Sequence, residues 1–447
     1  MNTNAFNGRI KGGLHLAKEK TVVGIDIGSS KITTLIATAT KKGPLTVVGV
    51  SSVPSRGIKK GQVVDIDESV SAISSSVEAA ERMAGHNVTH SLITVGGSHI
   101  SSLNSRGVVA VAGGENEISS DDVRRVTEAA RAISIPSSRE IIHVIPRDFI
   151  VDSQEGIKDP VGMTGVRLEV ETHIISGAST SMRNLVKCIQ QVGVDVEDIV
   201  FSGIASAESV LSDTEKELGV ALVDIGGGTT SVCLFVEGSV AHSVVLPVGG
   251  KNITNDIAIG LRCSLESAEA IKMHLSKKAK KTVLPDKDEE EHLKRGEVKD
   301  KRDESIDTSK IGVSEELGVI SRKTLVEGII KPRLTEIFTL IGMEIKRSGY
   351  AGLLPAGLVI TGGAAETVNM NEVGKDVLRM PIRVATPSGL VGLIDEVSTP
   401  GYSSVTGLLR YSQNYSDSSE NMLPLGKGFE MRGIINKAIE WLKSFLP

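Results

Sequence analysis

Apolar residues in this chain fall into short blocks, and two of these blocks run through an aspartate into a small-residue turn. Val22 to Ile25 is one such block; it closes at Asp26 and at Gly28, Ser29 and Ser30, and Ile32 to Ala37 resumes the pattern. Ala221 to Val223 is another; it closes at Asp224 and at Gly226, Gly227, Gly228, Thr229 and Thr230, with Val232, Leu234 and Val236 on the far side. Each predicts strand, tight turn, strand. The first hairpin is followed by a predicted strand over Leu45 to Val53 and a helix over Asp67 to Met83. Apolar stretches at Ser91 to Val95 and Val108 to Ala112, a helix opening at Ser119 to Asp122 and a strand at Ile141 to Ile145, closing near Phe149 to Asp152, then form a compact module. Ser119 or Ser120 suits the N-cap of that helix, with acids in its first turn.

No phosphate-type turn lies in residues 88–166 unless the Gly96-Gly97 pair is one, so this stretch reads as an inserted subdomain made for contacts more than for chemistry. Glu169 to Ser176 and a helix over Ser181 to Val192 are expected to return the chain to the first lobe, and a helix near Gly203 to Ser212 leads into the second hairpin. Beyond it come Val244 to Pro247, the Gly249-Gly250 turn, and helices over Asn252 to Leu261 and Leu265 to Leu275. Residues 276–310 turn to Lys, Asp and Glu with few apolar anchors, which predicts a solvated, mobile insertion, a charged partner-binding loop being the alternative. A long helix from Ser321 to Ser348 precedes a third glycine turn, Gly357 to Ala365, where a planar base or a sugar-phosphate can lie flat against exposed backbone.

Composition narrows the function classes. At 447 residues the chain exceeds one compact core, and roughly three units follow from a prior of about 150 residues per domain. A net charge of −5 argues against a nucleic-acid binder built on one basic face, and 3% aromatic residues argue against base-stacking platforms. Cys188, Cys233 and Cys263 are too scattered for a disulfide framework or a zinc site and read as buried reduced thiols in a cytoplasmic protein. No apolar run approaches the roughly 18 residues a membrane span needs. Residues 1–20 have no apolar stretch, which excludes a secretory signal, and read as a disordered leader.

The chemistry lies in the turns. Glycine and small hydroxylated residues let phosphate approach backbone N–H groups. An aspartate beside phosphate repels it, yet suits a hydrated Mg2+ that bridges to phosphate oxygens. The Asp26 and Asp224 turns therefore predict a duplicated clamp that holds one metal–nucleotide from two sides. Ser231 stands where a Rossmann fingerprint needs its third glycine, and a strand follows in place of a helix. The P-loop pattern is absent from the sequence.

The order of three elements, an Asp-Gly turn, an Asp-Gly-Gly-Gly-Thr turn and a Thr-Gly-Gly turn after a strand, resembles the actin, sugar-kinase and heat-shock-chaperone ATPase superfamily. Val22 to Lys31, Leu218 to Thr230, Pro247 to Gly250, Ile253 to Ala258 and Ala268 to Lys272 resemble the FtsA family of bacterial cell-division actin homologues more narrowly. The likeness runs from about Val22 to Tyr411 and includes the inserted module. It implies an α/β, actin-like, two-lobed ATPase fold with an FtsA-type insertion and a C-terminal amphipathic helix. It implies ATP and Mg2+ as cofactors, with Asp26 and Asp224 organising the metal through water. Gly28, Ser29 and Ser30, with Gly226, Gly227, Gly228, Thr229 and Thr230, would hold the phosphates. Lys31 adds a charge-assisted contact to phosphate unless it is a plain surface lysine. Glu269 and Lys272, one turn apart, match ribose contacts, the alternative being an exposed ion pair. Gly362, Gly363 and Ala364 would line the adenosine. Ser202 stands where relatives in the superfamily carry an acid or amide that orients the attacking water. A hydroxyl is a poor base at neutral pH, so turnover is expected to be slow or negligible, with Asp224 the remaining group able to orient a water.

The tail carries its own pattern. At about 100° per residue, Met431, Ile434, Ile435, Ala438, Ile439, Leu442, Phe445 and Leu446 share a face with Trp441 at its edge, and Asn436, Lys437, Glu440, Lys443 and Ser444 take the other. Such a helix packs on its own domain or lies in a membrane interface with the tryptophan at headgroup depth. The polar linker before it, its terminal position, the basic Lys427 and Arg432 and the FtsA resemblance all favour the membrane.

The expected organisation is therefore a leader (1–20), a first lobe (21–87, 167–212 and 385–411) interrupted by the insertion (88–166), a second lobe (213–384), a linker (412–428) and the amphipathic helix (429–447). By resemblance the chain polymerises, sits peripherally on the cytoplasmic face of the plasma membrane, anchors the FtsZ ring and recruits later division proteins, with no nucleic-acid partner. An ATP-dependent sugar or metabolite kinase and the pilus-assembly relative of FtsA are the alternative readings.

Overall fold

The computed structural model describes residues 20–39, 44–283, 305–313, 315 and 317–418. Among the described residues, three sheets have four or more strands. The first has six strands in the spatial order Asp195–Phe201, His90–Val95, Lys20–Ile27, Lys31–Ala39, Leu45–Pro54 and Leu390–Gly392. The second has five, in the order Ser239–Leu246, Thr230–Val236, Val220–Ile225, Leu358–Thr361 and Ile382–Val384. Each sheet is built around an antiparallel hairpin, Lys20–Ile27 with Lys31–Ala39 and Val220–Ile225 with Thr230–Val236, whose first strand pairs in parallel with a strand from elsewhere in the chain. The two lobes thus repeat one plan.

Both hairpins are apolar on their two faces because both faces are covered. In the second lobe Ala221, Val223 and Ile225 enter a core with Phe338 and Ile341, while Val220 and Leu222 enter the other core, with Phe201 and Leu408. Fully burying each of these valine, leucine, isoleucine and phenylalanine side chains contributes about 1.5–3 kcal/mol. Two helices join the lobes. Ser202–Val210 and Ser403–Ser418 cross so closely that a Cβ added to Gly407 would lie 1.6 Å from the Ala205 carbonyl oxygen.

The inserted module is a four-stranded sheet, in the order Ser101–Ala110, Arg167–Ala178, Arg139–Val151 and Gln154–Ile157, with one helix, Ser120–Arg131, packed on it. Ser119 caps that helix through a capping box with Asp122. The module leans on the edge strand of the second lobe. Ser102 Oγ donates to Ser243 O at 2.7 Å, and Lys158 Nζ donates to Glu237 O at 2.8 Å.

Several boundaries differ from the sequence pattern. Ser91 to Val95, expected inside the insertion, pairs in parallel with Lys20–Ile27 and belongs to the first-lobe sheet. Glu169 to Ser176, expected to return to the first lobe, is paired on both sides within the inserted sheet. A buried strand reads alike in either sheet, and only the long-range pairing distinguishes them. The long helix after Ser321 is interrupted by a π turn at Val326–Ile330, just before Pro332, which lacks the N–H an α-helix needs there. Residues 276–283, expected in the mobile charged insertion, continue the helix Leu265–Val283, and Ser305–Asp307 pairs with Val319–Ser321. Residues 412–418, expected in the linker, are the last turns of the helix Ser403–Ser418. The leader up to residue 19, the centre of the charged insertion and the tail helix lie outside the described residues.

Candidate nucleotide site

Strand alternation decides where both aspartates point. Asp224 shares the face of Val220 and Leu222, toward the connecting helices, and its Oδ2 accepts hydrogen bonds from Ser206 Oγ at 2.6 Å and Ser404 Oγ at 3.0 Å. In the first lobe Gly24 faces Leu408, where an added Cβ would lie 3.2 Å from the leucine Cβ, and Asp26, two residues on, takes the same face. Thr94 Oγ1 donates to Asp26 Oδ1 at 2.6 Å. The two carboxyls reach one cleft from separate sheets.

The turns that follow them close alike. Gly28 N–H donates to Lys31 O at 3.1 Å and Gly226 N–H to Thr229 O at 2.9 Å. The hairpin tips touch: a Cβ on Gly227 would lie 2.6 Å from Ser30 Cβ, and one on Gly228 3.0 Å from Ser29 Cβ. Lys251 Nζ crosses between the lobes to donate to Ser29 O at 2.7 Å. Around these tips opens a cavity of about 850 Å³. It is lined by Asp26, Gly28, Ser29, Ser30, Lys31, Ser202, Asp224, Gly226, Gly227, Thr229, Glu269, Lys272, Gly362, Gly363 and Ala364.

Two expected phosphate contacts are placed elsewhere. Gly228 packs on the first hairpin and does not line the cavity. Thr230 is fully buried and donates to Val248 O at 2.8 Å, because it already belongs to the strand Thr230–Val236 and points into the fold. Lys31 is half-buried, with its ammonium 3.8 Å from the centre of the Tyr402 ring. Burial lowers its pKa, against the pull of Asp26 and Glu366. Glu269 and Lys272 do form an ion pair at 2.7 Å, in which the lysine is buried and also donates to Thr254 Oγ1 at 2.8 Å while the Glu269 side chain stays half-exposed. Gly362 has φ +89°, and a Cβ there would lie 2.2 Å from Asp224 Oδ1, so no other residue fits. Ser202 opens its helix 3.2 Å from Ser231 Oγ, with no acid in the first turn.

Burial raises the Asp26 carboxyl to about 6, Thr94 and Lys31 oppose the rise and nearby Asp224 adds to it. Asp224 is likewise raised, by burial first, against its hydrogen bonds from Ser206 and Ser404. Two carboxyls that resist ionising together favour a cation between them, and the donor set of carboxylates and hydroxyls suits a hydrated hard cation.

Sequence reasoning missed Thr94, Ser206, Ser404, Lys251, Thr254 and Glu366, all at or beside this cavity. The signal for Thr94 was the Gly96-Gly97 pair closing an apolar strand, of which Gly96 does line the cleft. The signal for Lys251 was its place after the Gly249-Gly250 turn. Ser206 and Ser404 left none.

Comparison with known proteins decides the family. A family profile described as "Cell division protein FtsA" matches residues 221–407, and one described as "SHS2 domain inserted in FTSA" matches residues 97–176. Cell division protein FtsA of Pseudomonas aeruginosa is 38% identical over 410 residues, covering 92% of this chain and 93% of that protein. The chain belongs to the FtsA family of cell-division proteins. FtsA of Bacillus subtilis is 38% identical over 390 residues, with 87% of this chain and 83% of that protein covered. FtsA of Escherichia coli K12 is 34% identical over 401 residues, with 88% and 90% covered.

Solved structures give the fold. The PilM-PilN type IV pilus biogenesis complex superposes with a TM-score of 0.59 at 13% identity, covering 88% of this chain and 98% of that one. MreB 5 of Spiroplasma citri bound to AMPPNP superposes at 0.50 and 12% identity, covering 90% and 98%. The fold is the actin-like ATPase fold, with the FtsA-type insertion between strands of the first lobe.

Proposed function

We propose that this FtsA-family chain binds Mg–ATP between its lobes as a conformational ligand, polymerises on the cytoplasmic face of the plasma membrane, and there anchors the FtsZ ring and recruits later division proteins. The observation that carries the nucleotide reading is the convergence of Asp26 and Asp224, from two separate sheets, on one cleft whose two turns close alike. The AMPPNP held by the MreB 5 structure supports it from the same fold.

Bound Mg2+ supplies charge neutralisation at the phosphates. Asp26 and Asp224 would hold the ion, through water. Ser29, Ser30, Gly226, Gly227 and Thr229 offer hydroxyls and backbone N–H groups, and Lys31 and Lys251 offer positive charge. The Glu269 and Lys272 pair would hold the ribose, and the Gly362 to Ala364 backbone would line the base. Ser202 in place of an acid makes hydrolysis slow, so ATP acts chiefly by holding the lobes in one arrangement.

The tail face of Ile434, Ile435, Ala438, Ile439, Trp441, Leu442, Phe445 and Leu446 gives a reversible anchor, because part of its burial is spent ordering the helix. Joining protomers makes each further insertion intramolecular, so a filament holds the surface where one copy does not. A sugar kinase has no use for such a tail, and ATP consumption across a panel of sugars separates that reading.

The test is cosedimentation of the full chain, and of a chain lacking Gly433 to Pro447, with anionic liposomes, with and without ATP and FtsZ. The expected result is liposome binding and FtsZ recruitment by the full chain, both lost on truncation while ATP binding persists. A full chain that stays in solution under every condition ends the tether reading.

A further inference from the structure

Asp224 belongs to the second lobe, yet both hydroxyls that hold it come from the helices that join the lobes. Ser206 Oγ and Ser404 Oγ each donate to Asp224 Oδ2 and lie 2.9 Å from one another. The three oxygens form a closed triangle at the crossing of the helices. Oδ1 is left beside Gly362, a residue that lines the cavity. The crossing itself has no slack. Gly407 meets the Ala205 carbonyl, one residue from Ser206, and Ser209 Oγ donates to Ser403 O at 2.8 Å, one residue from Ser404. Ser403 Oγ in turn lies 2.5 Å from Thr361 Oγ1, at the end of the strand that runs into Gly362. A shift of either helix therefore moves a donor off Asp224, and a pull on Asp224 is felt by both helices.

We infer that Ser206 and Ser404 are positioning residues that tie the Asp224 carboxylate to the crossing of the two connecting helices, so that a cation–nucleotide held at Asp224 fixes the relative setting of the lobes. The inference deepens the nucleotide reading and rests on it. Ser206 does not line the cavity, whereas Ser404 does, so Ser206 is the serine that acts through Asp224 alone. Each fixes Oδ2, which aims Oδ1, and each reports the position of its own helix.

The experiment titrates a fluorescent ATP analogue in Mg2+ and in EDTA against the full chain and its Ser206→Ala, Ser404→Ala and Ser404→Thr variants. Removing one donor to a charged acceptor is expected to weaken binding in Mg2+ roughly ten-fold and to leave binding in EDTA within about two-fold. Ser404→Thr keeps the hydroxyl at a half-buried position and is expected to bind like the parent. Amide hydrogen exchange in residues 202–210 and 403–418 is expected to slow on adding Mg–ATP to the parent and to Ser404→Thr, and not to the alanine variants. Equal losses in Mg2+ and EDTA, or unchanged affinity in Mg2+ for Ser404→Ala, overturn the inference. Should the fully buried Ser206→Ala variant fail to fold, Ser404→Ala decides alone. A parent chain that binds no ATP in Mg2+ overturns the nucleotide reading, and this inference with it.

Discussion

Replacing Asp26 by Asn is expected to make the ligand-free protein more stable while destroying its use for Mg–ATP. The Asp26 carboxyl is raised from 3.8 to about 6, chiefly by burial and with Asp224 adding to the effect. About two units correspond to about 3 kcal/mol for a dry site, and solvent entering the open cleft reduces that to about 1–3 kcal/mol. The folded value lies above the unfolded one, so the stabilising contribution of the protonated form is complete below 3.8 and is lost as pH rises through about 6. Asn cannot ionise, and its carbonyl still accepts from Thr94. In EDTA without nucleotide, Asp26→Asn is therefore expected to unfold at higher urea than the parent at pH 8, by about 1–3 kcal/mol, with the difference vanishing near pH 4. In Mg2+ the same variant is expected to lose ATP affinity, since an amide holds a hydrated cation less well than a carboxylate. Two results refute the reasoning: a variant less stable than the parent at pH 8 while still folded, or undiminished affinity for Mg–ATP.

Other expectations follow from single contacts. Gly407→Ala forces a methyl against the Ala205 carbonyl and is expected to cost about 3 kcal/mol, read by urea unfolding; a cost under about 0.5 kcal/mol contradicts the tight crossing. Thr94→Val removes the donor to Asp26 and is expected to weaken Mg–ATP binding roughly ten-fold in isothermal titration, and equal binding by the two proteins argues against Thr94 as a support of Asp26. Lys272→Met removes the cation that Glu269 and Thr254 share, so ATP affinity is expected to fall while affinity for inorganic triphosphate stays; a matched fall for both ligands places the pair at the phosphates and not at the ribose. Leu442→Glu puts a charge in the apolar face of the tail and is expected to abolish liposome binding without changing ATP affinity, and retained liposome binding contradicts the interfacial helix.

The sequence by itself determined the strands that end in Asp26 and Asp224, because short continuous apolar runs closed by small-residue turns are local properties that any window of the chain displays. It determined the strand that runs into Gly362 for the same reason, and the breadth of the FtsA-like motifs carried the family. Tertiary structure decided what local pattern leaves open. Ser91 to Val95 and Glu169 to Ser176 are apolar enough for any sheet, and only pairing with Lys20–Ile27 in one case and with Ser101–Ala110 and Arg139–Val151 in the other assigns them. Thr230 has the right chemistry for phosphate, and its place on a strand turns its hydroxyl to Val248 instead. Ser206 and Ser404 are ordinary helix serines until the helices cross and bring both onto a carboxylate from the other lobe. Local order comes from neighbours a few residues away and is written in the chain; a site shared between lobes depends on which distant surfaces bury one another, and that is settled only when the whole chain packs.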